Sequence, residues 1–75
     1  MNVLFVCTGN INRSAVAEVI LREKEGWNVK SAGTGKTAMK NARAASRMRR
    51  AAEKHGFNLE DHRTTPMSVE LAVWA

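Results

Sequence analysis

Residues 2–16 read NVLFVCTGNINRSAV, and this stretch decides the fold. The run from Asn2 to Val6 is mainly apolar without alternation, which predicts a strand buried on both faces, as in a parallel sheet. Residues 7–13 interrupt that run with a glycine and two asparagines. A helical pattern then starts at Ser14, a residue type that caps helices, and Gly26 is expected to stop it. The stretch therefore predicts a strand, a loop and a helix in immediate succession.

The rest of the chain continues the alternation of strands and helices. Residues 27–31 alternate and suit a second strand, and Ser68 is expected to cap a final helix over 69–75. Between them a long helix is expected from within residues 37–41 to His55. One face of that helix would carry Ala38, Ala42, Ala45, Met48 and Ala52. The order predicts a right-handed βαβ unit whose first strand is central in the sheet.

Length and composition exclude several classes of protein. The chain has 75 residues and 8.3 kDa, enough for one small domain over residues 1–75, and such domains bury only about 60% of their unfolded surface. With 44% hydrophobic and 25% charged residues the balance is globular. No apolar run approaches the roughly 18 residues of a membrane span, and no secretory signal is evident. A single cysteine, Cys7, excludes a disulfide framework and suits a reducing cytoplasm.

Positive charge is concentrated in one segment. Residues 33–55 carry seven basic side chains and one acidic side chain, whereas the whole chain has a net charge of +5. At helical spacing they form a basic stripe of Lys40, Arg43, Arg47, Arg50 and Lys54. Such a stripe attracts polyanions, nucleic acid among them, although an ordinary solvated helix face has the same pattern.

The loop after the first strand has the spacing of an oxyanion site, because Cys7 and Arg13 are separated by five residues. Amide groups from Thr8 to Ser14 can surround one tetrahedral oxyanion, and the positive end of the following helix faces the same point. Arg13 can bind two oxygens at once. A thiol at Cys7 should have a pKa below its ordinary value of about 8.5, and its thiolate can attack phosphorus to form a phosphocysteine.

Within this loop Gly9 allows a tight turn, Asn10 can brace the backbone, and the Ser14 hydroxyl can donate to the thiolate. Ile11 and Asn12 complete the predicted phosphate-binding loop. A buried structural cysteine in a strand-to-helix connection is the competing interpretation.

Two other motifs carry less weight. Gly35-Lys36-Thr37 imitates the end of a nucleotide-binding loop, but Lys30 stands where the first glycine is required. His55 and His62 with Cys7 match no zinc spacing, so both histidines are expected to be ordinary surface residues. We expect no metal and no cofactor.

The opening residues resemble the low-molecular-weight protein tyrosine phosphatases, whose loop typically reads C-x-G-N-x-C-R-S-P-x-A-E. Further similarity lies in Ser31-Ala32-Gly33-Thr34, in residues 43–56 and in the segments 61–63 and 68–71. The resemblance implies an α/β fold of three layers around a parallel sheet, truncated here. It also implies Cys7 as nucleophile, Arg13 as the phosphate-binding and transition-state arginine, Asn10 as a brace and Ser14 as thiolate stabiliser.

The departures from the family pattern are informative. Asn12 replaces a second loop cysteine that often protects the nucleophile through a disulfide, and Ala15 replaces a proline. The loop GKTAMK after Thr34 lacks the aromatic residue that usually flanks phosphotyrosine. The family's late Asp-Pro pair, whose aspartate is the general acid, is absent, and Asp61 aligns with a structural stretch. Arsenate reductases that share this fold need further cysteines, which this chain lacks.

The expected function is therefore a cysteine-dependent phosphatase for aryl phosphates or phosphotyrosine, slow because no general acid is evident. The alternative is a phosphate-, phosphoprotein- or nucleic-acid-binding module that uses the same loop together with Arg43, Arg47 and Arg50. An uncovered edge of the first strand predicts a homodimer. A partner copy could supply an acid, and the candidates are Glu60, Asp61, His62 and Glu70.

Overall fold

The computed structural model describes residues 1–24 and 26–75. Two strands, β1 (Asn2–Cys7) and β2 (Asn28–Gly33), alternate with the helix α1 (Arg13–Arg22). A 3-10 helix (Lys36–Lys40) follows, and then α2 (Ser46–Lys54) and α3 (Val69–Trp74). The α/β class and the βαβ order are confirmed. The last turn expected for α1 includes residue 25, which lies outside the described residues.

The two strands are parallel and in register from the pair Asn2–Asn28 to the pair Cys7–Gly33. Both therefore end at the same edge, which places the loop after β1 beside the loop after β2. Residues 65–67 join β2 on its far side, where the Gly33 amide donates to the Thr65 carbonyl at 2.8 Å. Among the described residues β1 has a strand neighbour on one side only, so the central position expected for it is not reached here.

Close backbone packing at the strand ends depends on Gly33. A Cβ there would lie 2.6 Å from the Cβ of Ala38 and 2.7 Å from the carbonyl oxygen of Thr8. Both distances are too short for real contacts, so only glycine lets the 3-10 helix and the loop after β1 approach β2 this closely.

Small side chains make up most of the core. The buried hydrophobic residues are Ala15, Ala32, Ala38, Ala44, Ala52 and Leu59. Four of them, Ala15, Ala44, Ala52 and Leu59, form one cluster, and the partly exposed Val16, Val19, Met48 and Phe57 pack against that cluster. The molecule is only 15 Å thick along its shortest axis, so few residues are far from solvent, as expected for a chain of this length.

The long helix expected over residues 37–55 is wrong in its first half. The chain leaves the 3-10 helix at Asn41, whose φ of +50° is left-handed, and residues 42–45 are not helical. Their backbone groups bind elsewhere: the Ala42 amide donates to the Thr64 hydroxyl at 2.8 Å, and the Ala45 amide donates to the Ile11 carbonyl at 3.0 Å. These tertiary hydrogen bonds override the helical pattern of the sequence.

That break also divides the basic stripe. Lys40 lies in the 3-10 helix and Arg43 in the connection, so only Arg47, Arg50 and Lys54 are on α2. Arg43 pairs with Glu60, which also lies 3.4 Å from Arg49. The continuous cationic helix face expected from the sequence is therefore wrong.

Helix ends agree in part with expectation. At α3 the Ser68 hydroxyl accepts the Leu71 amide at 3.2 Å, which confirms the cap. At α1 the helix begins at Arg13, and Ser14 lies inside its first turn. Ser14 is not a cap, because its hydroxyl is bound to groups of the preceding loop. No helix in the part of the chain that the structure describes is long and apolar enough to cross a membrane.

Candidate active site

The loop over residues 8–12 connects the end of β1 to α1 and surrounds the side chain of Cys7. The pairing of the strands continues into it, since the amides of Thr34 and Gly35 donate to the carbonyls of Cys7 and Thr8 at 3.0 and 2.8 Å. The start of α1 and the loop after β2 therefore approach the cysteine from two sides.

Cys7 is a free thiol whose sulfur accepts hydrogen bonds from its own loop. Its Sγ lies 2.9 Å from the Ser14 Oγ and 3.2 Å from the Asn10 amide nitrogen. Burial raises the pKa of the Cys7 thiol, but the Ser14 hydroxyl and the amides of Ser14, Asn10 and Gly9 lower it more. The resulting pKa lies below the ordinary thiol value, which favours a nucleophilic thiolate.

Asn10 holds the loop from inside. It is fully buried with a left-handed φ of +58°, a conformation that asparagine tolerates better than most residues. Its Nδ2 donates to the hydroxyls of Ser14 and Ser31, each at 2.8 Å, and its Oδ1 accepts the Thr65 amide at 2.8 Å. One side chain therefore connects the start of α1, β2 and the segment before α3.

Behind Asn10 is a second group of polar side chains: Glu18, Ser31 and His62. The Ser31 hydroxyl donates to the Glu18 carboxylate, and Arg22 pairs with the same carboxylate. His62 Nε2 lies 2.6 Å from the Asn10 carbonyl oxygen. The expectation that His62 is a surface residue is wrong, since its side chain is 8% exposed. His55, by contrast, is exposed.

Burial lowers the pKa of His62, and the positive charges of Arg22 and Arg63 lower it further, whereas the bond to the Asn10 carbonyl raises it. The lowered pKa favours the neutral ring, although the Glu18 carboxylate, whose Oε1 lies 3.9 Å from Nδ1, favours protonation. Nε2 carries the proton that it donates to the Asn10 carbonyl.

Sequence reasoning did not assign Glu18 or Ser31 to the site, and it considered His62 only as a surface residue or an acid for a partner copy. Glu18 follows Ser14 by four residues, so both face the same way on α1, and that spacing is a signal for Glu18. No local pattern indicates His62, because its contact with Asn10 spans 52 residues.

The cavity in front of Cys7 has a volume of about 480 Å³. Four predicted site residues line it, Cys7, Thr8, Arg13 and Ser14. The guanidinium of Arg13 is exposed and makes no hydrogen bond or ion pair with any other residue the structure describes. It is therefore available to an oxyanion. Gly9, Ile11 and Asn12 lie in the surrounding loop, Asn12 with its side chain exposed.

None of the carboxylates of the described residues lines this cavity. Glu60 is engaged by Arg43 and Arg49, and Asp61 lines a different cavity behind Asn10. Within residues 1–24 and 26–75, no three His, Cys, Asp or Glu side chains are grouped to hold a metal ion. The arrangement places a thiol of lowered pKa and an arginine in one cavity, and no carboxylate of the described residues lies beside them.

Replacing Ser14 by alanine should raise the pKa of Cys7, because the nearest hydrogen bond to its sulfur is lost. The rate of alkylation by iodoacetamide, measured against pH, should show its inflection at higher pH. Ser46→Ala, which changes an exposed serine at the start of α2, should leave the profile in place. An unshifted profile in Ser14→Ala would refute this role for Ser14.

Burial of His62 should make folding stability depend on pH. Its pKa in the folded state lies below the ordinary 6.5. As pH falls through 6.5, the unfolded chain therefore binds a proton at this histidine more readily than the folded chain does. The free energy of unfolding, measured with urea, should therefore fall as pH drops below about 6.5. His62→Gln should flatten this dependence and His55→Gln should keep it; equal slopes in the two variants would contradict the assignment.

The comparisons with known proteins agree with this geometry. The family model for low molecular weight phosphotyrosine protein phosphatase matches residues 2–73. The chain is 39% identical over 72 residues to the low molecular weight protein-tyrosine-phosphatase Etp of Escherichia coli K12, covering 95% of this chain and 47% of that protein. It is 38% identical over 76 residues to the protein-arginine-phosphatase of Bacillus subtilis, covering 95% and 49%.

Solved structures show the same likeness. The low molecular weight protein tyrosine phosphatase of T. tengcongensis superposes with a TM-score of 0.89 at 35% identity, covering 100% of this chain and 54% of that one. The YwlE arginine phosphatase of Geobacillus stearothermophilus gives 0.85 at 31% identity, covering 99% and 47%. The chain thus spans about half the length of the curated relatives it matches. On this match, it belongs to the low molecular weight phosphotyrosine protein phosphatase family.

Proposed function

We propose that this protein is a cysteine-dependent phosphatase that acts on aryl phosphate esters, phosphotyrosine among them, through a phosphocysteine. The observation that carries the proposal is the Cys7 sulfur, hydrogen-bonded to Ser14 and Asn10, in one cavity with the Arg13 guanidinium, which no other described residue engages. A lowered thiol pKa beside a cation that binds two oxygens suits attack on a phosphate dianion.

In the first step the Cys7 thiolate attacks phosphorus in line, the S–P bond forms, and the bond from phosphorus to the aryl oxygen breaks with its electron pair going to that oxygen. Arg13 and the loop amides stabilise the charge that spreads over the three phosphoryl oxygens. Water then attacks the phosphocysteine, releasing inorganic phosphate and regenerating the thiolate. Ser14 donates its hydroxyl hydrogen bond to the sulfur whenever it is negatively charged.

The leaving group distinguishes good from poor substrates. No carboxylate of the described residues lines the Cys7 cavity, so within one copy of the chain the aryl oxygen takes its proton from solvent. General acid catalysis typically contributes 10²–10⁴-fold. Turnover should therefore be slow and should favour aryl phosphates whose phenols are acidic.

The family contains relatives named for two substrates, phosphotyrosine and phosphoarginine. After β2, residues 34–40 contain no aromatic side chain, and Met39 in the 3-10 helix is exposed. Aryl phosphates remain the proposed class, and phosphoarginine is the comparison substrate in the assays below.

Cys7→Ser should abolish hydrolysis of p-nitrophenyl phosphate, because a serine hydroxyl has no comparable anion at neutral pH. Arg13→Lys should reduce kcat/KM by roughly 10²-fold or more, because an ammonium group cannot bind two phosphoryl oxygens at once as the planar guanidinium does. Release of p-nitrophenol measures both, with phosphoarginine assayed in parallel.

Binding of inorganic phosphate, followed by NMR, should persist in Cys7→Ser and so report that the loop is intact. Hydrolysis that survives in this folded variant would eliminate Cys7 as the nucleophile.

The proposal includes a homodimer. β1 has a strand neighbour on one side only among the described residues, and Val6, Val69 and Val73 are 47%, 77% and 79% exposed. Exposed apolar surface next to a free strand edge favours pairing with a second copy. The acid, if it comes from the partner, would be Asp61 or Glu70, since Glu60 is paired with arginines and His62 is buried and bound to Asn10.

Light scattering at micromolar concentration should therefore give twice the mass of one chain. Val6→Lys should shift the population towards monomer, whereas Met39→Lys, which changes an equally apolar exposed residue away from β1, should not. A single monomeric species in the unmodified protein would contradict the dimer.

A binding module for polyanions is the second candidate. Arg47, Arg50 and Lys54 on α2 form no ion pair with any described residue. Nucleic-acid binding through them would weaken steeply with salt, and Arg47→Gln with Arg50→Gln would flatten that dependence. Arg43, engaged by Glu60, would contribute less than the sequence indicates.

The lone thiol of Cys7 suits a reducing compartment, so the cytoplasm is the proposed location.

A further inference from the structure

An apolar groove lies between α1 and α2, outside the cavity in front of Cys7. Its volume is about 250 Å³, and it shares no lining residue with that cavity. Apart from one histidine, the lining side chains are all apolar: Val16 and Ile20 of α1, Met48, Ala51 and Ala52 of α2, and Phe57 after it. The groove has no part in the chemistry proposed above.

The floor of the groove belongs to the core, whereas its outer wall is open to solvent. Val16, Met48 and Phe57 are half-buried and pack against the cluster of buried residues. Ile20 is 40% exposed, and Ala51 on the other helix is exposed as well. A contiguous apolar surface with a polar rim is typical of protein interaction sites.

The two helices give the groove a repeat that another helix can match. Val16 and Ile20 are one turn apart on α1. On α2, Ala51 and Ala52 follow Met48 by three and four residues, so all three face the groove. In helix-in-groove recognition the bound helix inserts side chains that are themselves three or four residues apart. The groove therefore suits the apolar face of an amphipathic helix.

Positive charge lies along the α2 rim of the groove. Arg47 is four residues before Ala51 and Lys54 is three residues after it, so both lie next to Ala51 on the helix surface. Both are exposed, and neither forms an ion pair with any described residue. Glu53, the acidic residue of α2, lines a separate cavity together with Arg49. Acidic side chains beside a partner's apolar face would complement this rim.

We propose that this groove binds an amphipathic helix of another protein, with apolar side chains in the groove and acidic side chains that pair with Arg47 and Lys54. Nucleic acid would use the same two cations but would leave the apolar surface of Ile20 uncovered, whereas an acidic amphipathic helix covers both. At the end of α1 the charges of Glu23 and Lys24 cancel, so the positive charge of the rim comes from α2.

The groove lies close to the candidate active site. α1 begins at Arg13, directly after the loop around Cys7, and its ten residues span about 15 Å. α2 starts one residue after Ala45, whose amide donates to the Ile11 carbonyl of the same loop at 3.0 Å. A partner docked between the two helices is therefore held within about one helix length of Cys7 without entering its cavity.

The probe is a fluorescein-labelled peptide of about five helical turns, with leucines three or four residues apart and glutamates on both sides of them. Its fluorescence anisotropy, measured against increasing concentrations of the full chain, should rise to a plateau. Two control peptides should each bind at least roughly tenfold more weakly. One has the same composition in scrambled order, and the other has lysine in place of every glutamate.

Ile20→Glu should raise the Kd of the probe at least about tenfold, because it places a carboxylate where a leucine of the peptide would be buried. Ile20→Ala, a milder change, should raise Kd in the same direction. Met39→Glu changes an exposed apolar residue outside the groove and should leave Kd nearly unchanged. Retained dispersion of the amide resonances in NMR shows that each variant is folded.

The charge of the rim is tested separately. Arg47→Gln combined with Lys54→Gln should raise Kd roughly threefold or more and should weaken its dependence on salt. Lys36→Gln combined with Lys40→Gln removes the same charge outside the groove, and should leave Kd nearly unchanged.

No plateau for the probe, equal affinity for the scrambled peptide, or an unchanged Kd in either Ile20→Glu or the Arg47 and Lys54 double variant would overturn the proposal. Binding of a single-stranded oligonucleotide together with no plateau for the probe would assign the rim to polyanions instead. Loss of the dimer in Ile20→Glu, measured by light scattering, would show that a second copy fills the groove and would refute a site for another protein. None of these measurements needs phosphatase turnover, so failure of the proposed enzyme activity leaves the test intact.

Discussion

The buried amide of Asn10 is the interaction on which the site depends. It holds a left-handed backbone conformation without solvent contact, and its side chain binds two hydroxyls and one backbone amide. Each bond adds little net stability, but the removal of one partner leaves a buried polar group unpaired and costs about 1–3 kcal/mol. The chain itself therefore holds the loop in this shape, and the stabilisation of transition-state charge in the proposed reaction would require such preorganisation.

The position of the Asn10 side chain depends on the register of β1 and β2, although the sheet they form is small. Two strands of six residues each end together at Cys7 and Gly33. Because Gly33 has no side chain, the loop after β2 packs directly on the loop after β1. A slip of one residue would turn every side chain of a strand to the other face and would separate Ser31 from Asn10. The network behind the thiol is thus a product of strand pairing.

Local patterns predicted those parts of the molecule whose contacts are local. The strand at residues 2–6 and the helix that follows the loop depend on neighbours in sequence, and so does the Ser68 cap. The break at residues 41–45 could not be predicted in this way, because the amides of Ala42 and Ala45 donate to partners far away in the chain. His62 was misplaced for the same reason. A contact that spans 52 residues leaves no periodicity for a sequence window to detect.

The alanine core has a consequence for how this sequence can evolve. Ala15, Ala32 and Ala38 are at most 1% exposed. A larger side chain there overfills the interior, at a typical cost of 1–3 kcal/mol, and glycine loosens the backbone at roughly 0.5–1 kcal/mol. Selection on stability alone would thus keep these positions nearly invariant, as strictly as selection on chemistry keeps a nucleophile. In a saturation mutagenesis experiment that measures activity, substitutions at the core alanines and at a nucleophile would both lower activity. A separate measurement of protein abundance would distinguish loss of stability from loss of chemistry.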